Sequence, residues 1–308
     1  MNRIPIVLDC DPGVDDAIAI LLACRMPEFD LRLVTSVAGN VEAEKTAINA
    51  LRLLEIAGSS VPVVKGAETP LFRAPVVAAH IHGKNGLGDL DVPMPAASVA
   101  PGNAWDAIYQ EAVRQEGKLE IIAIGPLTNL ALAFIKYREL PKLLRRIVIM
   151  GGAATMGNAT PAAEFNIYAD AEAADIVFTS GVPVYMCGLD VTMRAFLTPD
   201  EIEQMGALGS KQARFLRDLV QGVLRFSLDL GLPGMNMHDP AAVLYAADDS
   251  IFETHHAGIR VETKGKLTYG KTVTDLYSDH QMEHNAYIVT DVDREKLKAR
   301  MFDILSRY

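Results

Sequence analysis

Cysteine is scarce: Cys10, Cys24 and Cys187 are the only three, and they are widely separated. Two of them sit in apolar surroundings, which excludes a disulfide framework and points to buried thiols in a reducing compartment, the cytoplasm. Positive charge is in deficit, with 29 Lys and Arg against 39 Asp and Glu and a formal net charge of -10. A nucleic-acid partner needs a basic surface for its phosphates, so none is expected. No apolar run is long enough for a membrane span, and Met1-Asn2-Arg3 leads directly into a strand without a leader-like core; neither membrane nor export is expected. Internal repeats, low-complexity tracts and interdomain linkers are missing too. Half of the 308 residues are hydrophobic, enough to fill one large core, and a single domain over 1–308 is expected.

What the chain does have is a concentration of carboxylates near its start. Leu8-Asp9-Cys10-Asp11-Pro12-Gly13-Val14-Asp15-Asp16 places four aspartates within eight residues, directly after the apolar run Ile4 to Leu8. Ile6 to Leu8 reads as a buried strand, Pro12-Gly13 as a turn, and Asp15 to Arg25 as a helix with Ile18, Leu21 and Leu22 on its core face. One aspartate there could simply cap the helix, but four packed together need positive compensation. Carboxylate oxygens suit a hard divalent cation, and the absence of a neighbouring Cys or His pair argues against zinc. Alternation along the strand turns Cys10 away from Asp9 and Asp11.

Further on, strands are predicted at Leu31 to Val37, Val61 to Val64, Leu119 to Ile124, Arg146 to Met150 and Val182 to Cys187, with helices between them at Glu42 to Ala57, Asn103 to Gln115, after Asn129, and at Ala171 to Thr179. A long helical stretch from Thr198 to Leu230 is expected to break at Gly206, Gly209 and Gly222. Asp239 and Pro240 read as the cap and first residue of another helix. Phe252 to Thr263 and Tyr269 to Leu276 read as a β-pair, followed by a strand at Ala286 to Thr290 and a helix at Arg294 to Ser306. This alternation predicts an α/β fold, an open and mostly parallel sheet with helices on both faces. The polar motifs fall just past strand carboxyl ends, where open α/β sheets bind ligands. Lys65 to Gly102 is too long for an ordinary connection and carries His82 among glycines, as a loop closing over a ligand would. Trp105 is expected in the core.

Asp9 to Asp16 resembles the N-terminal signature of the nucleoside hydrolases, and the resemblance continues in Val37-Ala38-Gly39-Asn40, Ile124-Gly125-Pro126-Leu127-Thr128-Asn129, Met150-Gly151-Gly152, Glu164-Phe165-Asn166 and His238-Asp239-Pro240. It covers nearly the whole chain. It implies a Rossmann-like mixed sheet, a homodimer or homotetramer, and calcium-dependent hydrolysis of ribonucleosides to ribose and free base, as in nucleoside salvage. Carried over by position, Asp11, Asp16, Asp239 and the Ile124 carbonyl would hold Ca²⁺, with Asp11 also the general base. Asp15 would bind the ribose 2′-hydroxyl, and Asn40 would support the metal-site hydrogen bonds. Met150, Asn158, Glu164 and Asn166 would surround the sugar. His238 would protonate or polarise the leaving base, and His82 would stand near it. Asp9 is expected to be structural.

The segment Phe226 to Leu232 departs from members that present polar or Tyr groups there; an apolar wall can stack on a base without reading its hydrogen-bonding edge. His238, where a Trp would mark the purine-specific branch, argues against that branch. Base preference stays open, leaning to a broad, pyrimidine or inosine type. Two other readings carry less: a Mg²⁺ phosphatase using Asp9 and Asp11, which lacks a basic phosphate partner, and a non-catalytic nucleoside-binding protein, which would not need the full metal set.

Overall fold

The computed structural model describes residues 3–276 and 282–308. Strand β1 (Ile4–Cys10) ends at the acidic turn, and α1 (Val14–Arg25) follows with Gly13 as its cap. β2 (Phe29–Ser36), α2 (Ala43–Ala57) and β3 (Val63–Lys65) come next. The long connection holds the one-turn α3 (Ala79–His82) before α4 (Ala104–Gln115), β4 (Leu119–Ala123), α5 (Thr128–Lys136) and β5 (Leu144–Met150). Then follow α6 (Phe165–Ala169), α7 (Ala171–Phe178), β6 (Val184–Cys187) and α8 (Leu189–Thr192).

The predicted long helical stretch is three helices, α9 (Pro199–Gly206), α10 (Lys211–Leu219) and α11 (Gln221–Asp229), preceded by the two-residue strand β7 (Phe196–Leu197). Gly206 and Gly209 mark the first break as predicted, but the second falls at Val220, and Gly222 lies inside α11. β8 (Met235–Asn236) pairs with β7 and leads into α12 (His238–Ala247). Met237 is the residue that caps α12, so Asp239 and Pro240 sit in its first turn rather than at the cap and first position. β9 (Phe252–Val261), β10 (Thr272–Asp275), β11 (Ala286–Val292) and α13 (Arg294–Leu305) complete the chain.

Nine strands make one sheet in the order β10-β9-β11-β6-β5-β4-β1-β2-β3. From β11 to β3 every neighbouring pair is parallel, and β9 runs antiparallel to both β11 and β10. The chain leaves β1 for β2 on one side and returns as β4 on the other, which makes the end of β1 the topological switch point.

Period-two alternation splits the sheet between two apolar layers. Ile6, Leu8 and Cys10 face one layer with α1, α12 and α13, while Val7 faces the other with α4, α5 and α7. Cys10 therefore faces the α1 layer, on the opposite side of the sheet from Asp9, as alternation predicts, and Trp105 packs against the second layer. α1 is buried from Val14 to Ala23, which explains a sequence apolar on all sides apart from its two N-terminal aspartates. At the opposite, amino-terminal edge of the sheet, helix-to-strand turns close on Gly117 (φ +82°) and Gly181 (φ +85°), where an added Cβ would meet nothing within 4 Å.

Candidate active site

The end of β1 is held by its own hydrogen bonds. The Asp11 N–H donates to Asp16 Oδ1 (3.3 Å) and the Gly13 N–H to Asp16 Oδ2 (2.8 Å), so the helix-start carboxylate closes the turn from inside. Asn40, delivered by the end of β2, donates through Nδ2 to the Asp11 carbonyl and to Asp16 Oδ2, both at 3.1 Å, while its N–H meets Asp11 Oδ2 at 2.7 Å. Asp11 Oδ1 is buried and has no hydrogen-bond partner. A Cβ on Gly39 would sit 2.0 Å from Asp11 Oδ2, so only glycine lets β2 approach this carboxylate.

Oxygens of Asp15, Asp16 and Asp239 lie within 4.8 Å of one another, and α12 supplies the last of these from the far end of the sequence. Burial and the neighbouring Asp16 charge raise Asp11 well above the usual carboxylate range. Burial, then Asp15, Asp16 and Asp11, does the same to Asp239. Asp16 is pushed up to about 7 by burial and Asp15, although three hydrogen bonds pull it down. Groups so strained toward protonation, with one carboxylate oxygen left bare, are the donor set a hard cation would neutralise.

Above this cluster opens a cavity of about 440 Å³, lined at one end by Asp15, Asp239, Ile124, Met150, Glu164 and Asn166. Asn40, Asn158, His82 and His238 also reach its wall, whereas Asp11 and Asp16 are buried and do not line it. Asn166 Nδ2 donates at 3.0 Å to both the Ile124 and the Met150 carbonyls, tying the ends of β4 and β5 together. Glu164 caps α6 and accepts, all through Oε2, the N–H groups of Gly152, Asn166 and Ile167; burial nevertheless raises it to about 7. Asn158 is exposed, and its Oδ1 accepts the Phe165 N–H at 2.9 Å.

The two histidines are fixed through one nitrogen each. His82 Nδ1 accepts the Val14 N–H at 3.1 Å, which makes the neutral ring an Nε2–H donor and joins α3 to the acidic turn. His238 Nδ1 lies 2.8 Å from Thr192 Oγ1 on α8. Burial lowers the pKa of both, so both are neutral at pH 7.

Asp9 is apart from this assembly. Its Oδ1 accepts Thr35 Oγ1 (2.5 Å) and Asn129 Nδ2 (2.7 Å), it does not line the cavity, and burial lifts it to about 6. An Asp9 and Asp11 phosphatase pair therefore has no support. Sequence reasoning missed Thr192, His80 and Asn236. Thr192 lies on a four-residue helix with no periodic signal, and His80 beside His82 carries no mark of its own. A buried Asn236, bonded through Nδ2 to the Thr192 carbonyl at 3.1 Å, needs the fold to be seen.

A profile described as "Inosine-uridine preferring nucleoside hydrolase" matches residues 6–299. The chain is 40% identical to the pyrimidine-specific ribonucleoside hydrolase RihA of Photobacterium profundum over the full length of both. It is 41% identical to RihA of Escherichia coli O127:H6 over 99% of each. Among solved structures, the plant nucleoside hydrolase PpNRh1 superposes with a TM-score of 0.95 at 31% identity over 100% of both chains. A purine-preferring ribonucleoside hydrolase from Gardnerella vaginalis does so with 0.93 at 33% identity over 98% of both.

Proposed function

This chain belongs to the inosine-uridine preferring nucleoside hydrolase family, and from that premise we propose that it hydrolyses the N-glycosidic bond of ribonucleosides in a calcium-dependent reaction. The reaction class, nucleoside and water to ribose and base, follows from membership. The observation that carries the calcium reading is the convergence of Asp15, Asp16 and Asp239 within 4.8 Å beside the bare Oδ1 of Asp11. Asp11, Asp16, Asp239 and the Ile124 carbonyl would hold the ion; when bound it offsets their charge and acidifies water.

The protein's own groups account for the remainder. Asp11 is the proton acceptor, because its buried Oδ1 has no hydrogen bond to break. Asp15 binds the 2′-hydroxyl, and Glu164, Asn166, Asn158 and Met150 orient the sugar. Loss of the base leaves positive charge on C1′ and the ring oxygen, and the surrounding carboxylates stabilise it. They also repel a 5′-phosphate, which favours nucleosides over nucleotides. His238, neutral and fixed by Thr192, delivers a proton or hydrogen bond to the departing base, and the Nε2–H of His82 assists. The apolar face of α11 supports a broad or pyrimidine-leaning preference, in keeping with RihA-type relatives. Three free thiols accord with work in a reducing compartment, and among the described residues no helix is long and apolar enough to cross a membrane; family resemblance extends the proposal to a homodimer or homotetramer.

The test is turnover of inosine, uridine, cytidine and p-nitrophenyl phosphate by the purified protein, with a chelator and with added Ca²⁺. Release of base and ribose, abolished by chelation and restored by Ca²⁺, is expected. Phosphate release, or nucleoside turnover indifferent to the chelator, would overturn the reading.

A further inference from the structure

The helix α11 has its apolar stripe turned the wrong way for a core. Val223, Phe226 and Leu230 recur at helical spacing and line the cavity together with Ser227, while Leu224 of the same helix is buried in the core. Phe226 is 40% exposed and Leu230 63%, and Val76 and Val77, each 41% exposed, line the same cavity. Apolar side chains from two separate segments thus line one cavity that no protein atoms fill. Of the polar groups of the cavity, the carboxylates serve the sugar end, His82 and His238 each hold one ring nitrogen to Val14 and Thr192 and offer the other to the departing bond, and Asn236 is bonded to Thr192.

We infer that this end of the pocket takes a nucleobase bearing an apolar substituent, so that 5-alkylated pyrimidine ribonucleosides are better substrates than the unmodified ones. The inference rests on the hydrolase reading and specifies its substrate. Two physical terms decide it. A methyl group entering contact with Phe226 and Leu230 leaves water, which is worth about fourfold in binding per buried carbon. The side chains of Phe226 and Leu230 carry no hydrogen-bonding group, so an alkyl group seated on them adds affinity with no hydrogen bond sacrificed. Methylation also makes the base a slightly poorer leaving group, so an observed preference reports binding and not leaving-group chemistry.

The experiment compares kcat/KM for 5-methyluridine, uridine and 5-hydroxymethyluridine. The expected order is 5-methyluridine above uridine by about threefold to fivefold, with 5-hydroxymethyluridine no better than uridine because its hydroxyl would lose water without a partner. Phe226→Gln and Leu230→Gln, both at partly exposed positions, should bring the first ratio to about one, with folding checked by circular dichroism. Uridine turnover with a 5-methyluridine ratio of one or less, or a preference that survives both substitutions, overturns the inference. Absence of turnover for every nucleoside would instead overturn the hydrolase reading beneath it.

Discussion

Asp239→Asn removes one charge from the carboxylate cluster with almost no change of volume. Oxygens of Asp239, Asp15 and Asp16 lie within 4.8 Å of one another. At such a separation two unit charges repel by roughly 3.5 kcal/mol in an effective dielectric of about 20. Proton uptake already relieves part of this, because burial and the three neighbouring aspartates raise Asp239 far above its ordinary value. The asparagine keeps a donor toward Asp16 and deletes the charge. In chelator the variant should therefore be more stable than the parent by about 1–3 kcal/mol, or roughly 2–6 °C in Tm.

Calcium should reverse the order. At a hundredfold excess over Kd it stabilises the parent by about 2.7 kcal/mol, and the variant by little. The gap in chelator also depends on pH. Asp16 stands at about 7 against an ordinary 3.8, so the folded parent binds more protons than the unfolded chain. That contribution is fully present below the unfolded value and is lost as pH rises through the folded one. The variant's advantage should be small near about pH 5 and wide near about pH 8. Thermal melts with chelator or Ca²⁺ at both pH values, with uridine turnover alongside, supply the readout; turnover should fall by about a hundredfold or more. A variant less stable than the parent in chelator, with an undiminished calcium response, would refute the cluster as a cation site.

His238→Ala should lower kcat on uridine by about 10²-fold yet spare p-nitrophenyl riboside, whose leaving group needs no proton; equal losses on both substrates would remove His238 from that role. Gly39→Ala drives a Cβ to 2.0 Å from Asp11 Oδ2, and the calcium-induced rise in Tm should disappear in a protein that still folds by circular dichroism. Glu164→Gln should raise KM for uridine about tenfold or more with kcat changed far less, and a KM equal to the parent's would show that Glu164 serves only as the cap of α6.

Much of this site was legible because its ligands are local to strand ends. Asp11, Asp15 and Asp16 share one turn, Asn40 and Ile124 lie just past the two strands flanking β1, and a parallel sheet brings such ends together without further information. Asp239 belongs to the cluster through α12, which packs beside α1; only its motif, not its spacing, announced it. The reading of Asp239 as a helix cap failed because α12 starts directly after the short strand β8, with Met237 as its cap two positions earlier than capping preference suggests. Val220 breaks the α10 and α11 pair where the sequence pointed to Gly222, since a change of helix direction there is compatible with ordinary αR geometry at Val220 (φ -78°, ψ -7°) and needs no glycine. Thr192, which orients His238, was invisible because a four-residue helix leaves too short a pattern to detect.

The turns at Gly117 and Gly181 close the sheet on the edge away from the acidic turn. β4 alone sets about 17 Å between such a turn and the catalytic rim. The positive φ of both glycines strains any side chain placed on them, but the exposed Lys118 and Thr179 beside them could carry fluorophores, affinity tags or immobilisation linkers and leave substrate access unobstructed. The molecule thus has a handle and a mouth at opposite poles, a useful polarity for a surface-tethered sensor.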